Sequence, residues 1–419
     1  MKKSVSLLVT LLVLSGCTNS AGGYVKPKNQ VNNPNKTFNA KKIKSGDEKY
    51  VESLQSFAID FYQALDKKAN QVFSPLSITT CYSMLYDGAN GQTKEELGKL
   101  LHYDNSFNHL DEIKNMLLNC AIDVPSDKTF LNVSQSLWSK EVSTFNDDYI
   151  NKMTEYYYAE LFDSVDFVGE GGKLISDWIN YKTEKFLDVS PKDFNFDINT
   201  EFVLLNTIYL KSQWAQEGLF DKKNNYDSKF YGDKNENNVT FMKGKVEKSH
   251  FYKKDAYRIA SLDYKQGIKL NILLPNEDAN YSEVLGNEIA LKELLNFEKL
   301  NEYEQKDIEW SLPIFKIKQD YDLTSVLTNL GLSNATFETP DLSSMTKEAN
   351  LYISSSTHKA GMEINNDGVK AAAYTTIVVT SKTQPVPNKT EYFNVNHPFA
   401  YSITNSNGYP LFMGVINNL

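Results

Sequence analysis

The residue types that most often carry chemistry are sparse in this chain and do not form a recognisable catalytic set. None of the five histidines stands at a spacing typical of metal ligands: His102, His109, His250, His358 and His397. The glycines at 88 and 91 lead to a lysine at the wrong spacing for a phosphate-binding loop, and the nucleophile-elbow and zinc-protease motifs are absent. We therefore expect no catalytic residues, no metal and no cofactor, with an unrecognised hydrolase as a third alternative.

One stretch near the C-terminus offers a different kind of chemistry. Met362 and Ile364 alternate with Glu363 and Asn365 as in a strand. A polar turn follows at residues 366–368, where Gly368 supplies backbone angles that other residues resist. Strand-forming residues then continue until Pro385. One face is small or apolar: Val369, Ala371, Ala373, Thr375, Ile377 and Val379. The other face carries Lys370 and Tyr374. This pattern is typical of a half-buried strand, so the segment is either an ordinary strand or one that can be loop or strand.

The stretch from Gly368 to Ala373, after His358-Lys359-Ala360, resembles the hinge of the reactive-centre loop of a serpin. Four further segments match the same family in the same order: residues 70–78, 202–211, 312–317 and 410–414. The resemblance runs from about residue 47 to the end. It implies an α+β serpin fold at 47–419, with about eight or nine helices, three β-sheets and an exposed reactive-centre loop at about residues 366–390.

The resemblance implies an irreversible inhibitor of serine proteases. In this family the protease cuts the loop and forms an acyl-enzyme, which is trapped when the cut loop inserts as a new strand into the central sheet. The implied hinge and inserting residues are Gly368, Val369, Ala371, Ala372, Ala373, Thr375, Ile377 and Val379. The inward face carries no charge, which favours insertion, since burying an unpaired charge is costly. The alternative is a non-inhibitory serpin-fold binding protein.

The family's numbering also implies a bond for the protease to cut. The residue before that bond lies fourteen after the hinge glycine, which gives Lys382–Thr383. A lysine there suits a trypsin-like pocket with an acidic floor. Val378, Val379 and Thr380 are alternative cleavage positions for elastase-like or subtilisin-like enzymes, and inhibition of cysteine proteases stays open.

Further positions match residues that move in the family when the loop inserts. Ser74, Ser77, Asn206 and His358 match the polar cluster beneath the central sheet, where its strands part. Trp214 matches a tryptophan near the point where insertion begins. Each of these side chains could equally be an ordinary satisfied core residue.

The N-terminus predicts export and attachment to a membrane. Met1-Lys2-Lys3 and the apolar run 5–14 are typical of a signal peptide, too short to span a bilayer. Leu14-Ser15-Gly16-Cys17 resembles the lipobox of bacterial lipoproteins, which implies a signal peptide at 1–16 and acylation of Cys17. Residues 17–46 are predicted to be a flexible tether. We expect anchoring to the outer membrane or cell surface, with the periplasmic face possible and an ordinary secreted protein as the alternative.

Charge and composition limit the other partners. A net charge of −9 argues against nucleic acid, because phosphate binding needs a concentrated basic face. The expected partners are target proteases, held in a covalent acyl complex, and the membrane through Cys17. The inhibitor itself is expected to be a monomer.

Local patterns predict the elements that must position these residues. Helices are predicted after Asp47, after the Ser74-Pro75 cap, after a capping box at 93–96, and over 109–120, 146–159, 173–187, 283–299 and 323–330. Strands are predicted over 130–138, 202–210, 226–275, from 308, over 393–404 and over 411–416. The unbroken apolar run at 202–210 predicts a central strand buried on both faces.

Overall fold

The computed structural model describes residues 26–32, 34, 44–66, 68–300, 303–347, 351, 353, 356–369 and 390–419. Its helices are α1 (Glu48–Ala64), α2 (Pro75–Gly88), α3 (Gly91–Leu100), α4 (His109–Asn119), α5 (Asp147–Glu155), α6 (Gly172–Lys182), α7 (Tyr281–Leu285), α8 (Glu288–Leu295), α9 (Leu323–Asn329) and α10 (Asn334–Phe337).

The strands begin with β1 (Gln71–Phe73), β2 (Ile122–Val124), β3 (Thr129–Ser139), β4 (Glu160–Phe162) and β5 (Phe202–Gln213). The next group is β6 (Tyr226–Tyr231), β7 (Glu236–Lys253), β8 (Tyr257–Asp263), β9 (Lys269–Pro275), β10 (Glu304–Pro313) and β11 (Phe315–Asp322). The last five are β12 (Thr357–Asn365), β13 (Gly368–Val369), β14 (Thr390–Asn394), β15 (Phe399–Thr404) and β16 (Pro410–Ile416).

Side-chain caps explain where the first two helices begin. The carboxylate of Asp47 accepts from the amides of Lys49 and Tyr50 at the start of α1. At the start of α2, the Ser74 hydroxyl accepts from the amide of Ser77, and Pro75 occupies the first turn, where no amide donor is needed. Both predicted helix starts are confirmed.

Three helix predictions were wrong in detail. Thr93 does not cap α3, because its hydroxyl accepts instead from the amide of Asp341. The helix predicted over 283–299 is two helices, since Asn287 caps α8 separately through the amide of Ala290. α6 ends at Lys182 rather than 187, and three non-glycine residues with left-handed backbone angles follow it, at positions 184, 185 and 188.

The strands form two hydrogen-bonded networks in the described part of the chain. The first has seven strands in the order β11-β12-β13-β5-β3-β2, with β4 paired to β3. The second has nine, in the order β1-β16-β15-β9-β8-β7-β10-β14, with β6 paired to β7. β7 is 18 residues long and pairs in succession with β6, β10 and β8. The predicted α+β fold is confirmed, and two of its three expected sheets are continuous through β7.

Part of the predicted tether lies against the folded body. The amide of Val31 donates to the carbonyl of Leu161 at 2.9 Å, and the amide of Asp163 donates to the carbonyl of Asn29 at 2.9 Å. The Asn32 side chain adds two bonds, donating to the Ala159 carbonyl at 2.9 Å and accepting from the Leu161 amide at 2.7 Å. Backbone pairing with an edge strand needs no apolar side chain, which is why composition did not predict it.

Within the described residues, no helix is both long enough and apolar enough to cross a membrane.

Candidate functional site

Gly368 and Val369, the predicted hinge residues that the structure describes, form the short strand β13 between the longer strands β5 and β12. Gly368 lies opposite Asn365 of β12 and Gln213 of β5, and Val369 lies opposite Ile364 and Ser212. Both pairings are antiparallel, so β5 and β12 run parallel to each other. Among the described residues, these two strands are joined only through β13. The hinge therefore occupies the top of a gap in the central sheet.

Below the hinge the gap continues as a cleft. The empty volume of this cleft is about 910 Å³, which includes space open to solvent. Its walls are Leu205–Leu210 of β5 and Thr357–Glu363 of β12, and Ile403 and Phe412 lie at its base. The first five residues of β5 are only half-buried. The prediction that β5 is buried on both faces was therefore wrong over this part, because no described residue fills the neighbouring position in the sheet.

The turn before the hinge is fixed by side chains. Trp214 is 4% exposed, stacks on Tyr264 with 4.5 Å between ring centroids, and donates from Nε1 to the Asn365 carbonyl at 3.1 Å. The side chain of Asn366 donates to the carbonyl of Phe220 at 3.0 Å. These contacts hold the end of β12 beside the start of the loop.

The predicted polar cluster is assembled at the other end of the cleft. The Ser77 hydroxyl donates to Oδ1 of Asn206 at 2.5 Å, and the amide of Ser74 donates to Nε2 of His358 at 3.1 Å. An accepting Nε2 requires a neutral imidazole. Burial lowers the pKa of His358 to about 3, which agrees with that state. Nδ2 of Asn206 is buried and has no hydrogen-bond partner among the residues that the structure describes.

A segment that the sequence analysis did not single out covers the cleft from outside. Phe186, just after α6, lies so close to β12 that a Cβ on Gly361 would meet its ring at 3.0 Å. Lys359 of β12 reaches Asp193 beyond this segment at 3.4 Å. A strand entering the cleft would pass beneath this cover. The absence of a side chain at Gly361 was the only signal in the sequence.

The other predicted site residues lie outside the described part of the chain. They are Cys17, Ala371, Ala372, Ala373, Thr375, Ile377, Val378, Val379, Thr380, Lys382 and Thr383. In the described residues, no group of three or more metal-ligating side chains could hold an ion. Cys81 is a free thiol there, and Sγ of Cys120 accepts a hydrogen bond from the Asn405 side chain at 3.8 Å.

Comparison with known proteins agrees with this arrangement. Residues 52–419 match the family described as Serpin (serine protease inhibitor). Human Serpin B4 is 30% identical over 375 residues, which cover 84% of this chain and 94% of that protein. An uncharacterized serpin-like protein of Thermococcus kodakarensis is 27% identical and covers 100% of this chain, with 99% of its own length matched.

Solved structures show the same fold. The native-state crystal structure of tengpin, a thermophilic serpin, superposes with a TM-score of 0.77 at 22% identity, covering 90% of this chain and 96% of that one. Thyroxine-binding globulin in complex with thyroxine superposes with a TM-score of 0.73 at 22% identity, covering 88% and 98%. The family match supports a function of the protease-inhibitor type. With residues 52–419 covered, the chain belongs to the serpin family.

Proposed function

We propose that this chain irreversibly inhibits serine proteases by inserting its cut loop into the cleft between β5 and β12. The observation that carries the proposal is the position of Gly368 and Val369, which already form a strand antiparallel to both walls at the top of that cleft. A loop freed by cleavage would extend this strand downward. The acylated protease would be carried with it.

The register of β13 predicts where each loop residue would lie after insertion. Because β13 is antiparallel to both neighbours, each residue after Val369 would lie opposite residues one position earlier in β5 and in β12. Ala371 would lie opposite Leu210 and Met362, and Ala373 opposite Ile208 and Ala360. Met362 and Ala360 are 2% and 4% exposed, so these alanines would face the interior. Small or apolar side chains are what this face requires.

The same register places Thr375 opposite Asn206 and His358. Its side chain would face inward beside Nδ2 of Asn206, which no described residue hydrogen-bonds. A threonine hydroxyl can accept that hydrogen bond, and a satisfied buried donor stabilises the inserted state. About a dozen new ladder bonds, at about 1 kcal/mol net each, would add on the order of 10 kcal/mol.

We propose trypsin-like proteases as the preferred targets, with Lys382 before the cut bond. The test mixes the protein with trypsin, runs a denaturing gel and identifies fragments by mass spectrometry. The expected result is a band at the summed mass that survives denaturation, with a released peptide starting at Thr383. Lys382→Ala should abolish this band with trypsin. In parallel mixtures with elastase or subtilisin, a stable complex and a released peptide starting after Val378, Val379 or Thr380 would instead point to an elastase-like or subtilisin-like target.

The second candidate is a non-inhibitory serpin-fold binding protein. Its support is the fold likeness to thyroxine-binding globulin, whose structure was determined with thyroxine bound. The two functions differ in one measurement. Cleaved loop without a stable complex, and without a rise in thermal stability after cleavage, would favour the binding protein over the inhibitor.

We also propose that acylated Cys17 attaches the protein to a bacterial membrane, with the outer membrane or cell surface as the site. The support is the apolar run at 5–14 followed by Leu14-Ser15-Gly16-Cys17. Expression of the full chain in a bacterial host with an alkyne-tagged fatty acid should label the wild-type protein. Cys17→Ala should remain unlabelled. Equal labelling of both would remove this proposal and leave inhibition unaffected.

A further inference from the structure

Arg258 is the only arginine among the 419 residues, and it contacts the strand at the far end of the reactive loop. It lies on β8, and its Nη1 donates to the backbone carbonyl of Tyr392 on β14 at 3.1 Å. Its guanidinium also lies over the ring of Phe393, 5.4 Å from the centroid. The two contacts use both properties of a guanidinium: a directed donor and a flat cationic face.

Within the described ranges, the strand that Arg258 contacts has backbone pairing on one side only. β14 is the last strand of its network there and pairs with β10 alone. Its inward anchor is Phe393, which is fully buried and packs on Trp310 with 4.7 Å between ring centroids. The neighbouring Tyr392 side chain is 67% exposed and contributes little. The carbonyl bond from Arg258 is therefore a second attachment, made from a different strand.

The surroundings of Arg258 partly disfavour the charged form of its guanidinium. Burial lowers the pKa of the guanidinium, and Glu391 and Glu277 oppose that effect. Nε is buried and has no hydrogen-bond partner in the described part of the chain. A lysine would place a compact, strongly hydrated charge here, and could not lie flat on Phe393 while donating to Tyr392.

We propose that Arg258 is a positioning residue that fastens β14 to β8 and thereby fixes the C-terminal end of the reactive loop. The loop role rests on the function proposed above. Residues 370–389 join Val369, at the top of the cleft, to Thr390 of β14. An uncut loop could descend into the cleft only if β14 came away from β10. The strength of the Arg258 attachment would therefore limit loss of inhibitor by self-insertion.

Segment-resolved hydrogen exchange on the full chain tests the attachment without any protease. In Arg258→Met, which keeps an apolar side chain of similar length but no donor, amides in 390–394 should exchange about tenfold faster or more, as expected for loss of a charge-assisted bond. Arg258→Lys should fall between Met and wild type. Tyr392→Ala is the matched control, because it keeps the carbonyl that Arg258 binds, and should leave exchange within about twofold.

Exchange at β16, in the core of the same network, separates local release from general destabilisation. Faster exchange at 390–394 with unchanged exchange at β16 supports the attachment, whereas unchanged exchange at 390–394 in both Arg258 variants overturns it.

On incubation at 37 °C, Arg258→Lys should also lose trypsin trapping several times faster than wild type. An equal rate of loss would overturn the loop role. If wild type traps no protease, the proposed function fails, while the exchange result still decides the attachment.

Discussion

Gly368 lies so close to Ser212 that a Cβ added to the glycine would meet the Ser212 carbonyl oxygen at 2.3 Å. Its φ of +126° also lies in the region that favours glycine. We therefore expect Gly368→Ala to push the hinge out from between β5 and β12. Inhibition of trypsin should show a lower trapped fraction and more cleaved inhibitor on a denaturing gel.

A matched variant in the same strand makes this test specific. Val369 is 4% exposed. Val369→Thr keeps a β-branched side chain that suits the same backbone φ, so this variant should trap protease nearly as well as wild type. If Gly368→Ala also traps protease as well as wild type, the pairing of the hinge with β5 and β12 before cleavage is not needed for insertion.

The face assignment of the inserting strand predicts opposite results for two neighbouring residues. Ala373→Glu would bring a carboxylate between Ile208 and Ala360 in the interior, at a cost of several kcal/mol, and should convert inhibitor into substrate. Tyr374→Glu introduces the same group one residue on. In the register of β13 it would face outward, opposite Lys359, and trapping should persist.

The measurement is the number of inhibitor molecules consumed per protease molecule trapped. A large rise for Ala373→Glu alone is expected. No rise for either variant would contradict the face assignment, and equal rises for both would point to a general effect of negative charge in the loop.

The hinge lysine provides a test of register through charge. Insertion would bring Lys370 between Lys211 and Glu363, and Glu363 now pairs with Lys316 at 3.0 Å. Glu363→Lys should therefore slow insertion by about two- to fivefold, the size expected for an exposed charge pair. Adding Lys370→Glu should restore the rate, and high salt should shrink both effects.

Stopped-flow fluorescence of a probe in the loop would follow insertion after mixing with excess trypsin. No rescue in the double variant would mean that Lys370 and Glu363 do not meet. A different register of insertion would then be required.

The lowered pKa of the buried His358 side chain predicts that the stability of the fold depends on pH. Its pKa is about 3 in the folded chain, against an ordinary value of 6.5. Between these values the unfolded state binds a proton that the folded state does not, so the free energy of unfolding falls as pH drops from 6.5 toward 3. The expected slope from this residue is roughly 1 kcal/mol per pH unit.

Urea denaturation at several pH values between 6.5 and 4.5 would measure this slope. His358→Gln can still accept from the Ser74 amide but has no proton to gain. Its stability should therefore fall less steeply with decreasing pH. Identical slopes in the two proteins would show that His358 is not held neutral by burial.

Much of the local structure follows from residues that act on their neighbours in sequence. Ser74 and Pro75 begin α2 as predicted, because a cap and a first-turn proline satisfy the helix end within four residues. The helix predicted at 109–120 and the strand at 130–138 are found within one residue of those limits. The resemblance of five segments, in order, was sufficient to indicate the family, while insertion of the segment after Gly368 stays a prediction.

Tertiary structure decided the features that depend on distant partners. Thr93 binds the amide of Asp341 instead of capping its own helix, and Arg258 binds a carbonyl 134 residues away. Gly368 and Val369 already lie between β5 and β12, above a cleft that no described strand fills, and neither strand alone could have predicted this position. Strand pairing joins backbone groups that carry no sequence signal, so the sequence can specify a segment's capacity to insert, while the fold alone determines where a place is left for it.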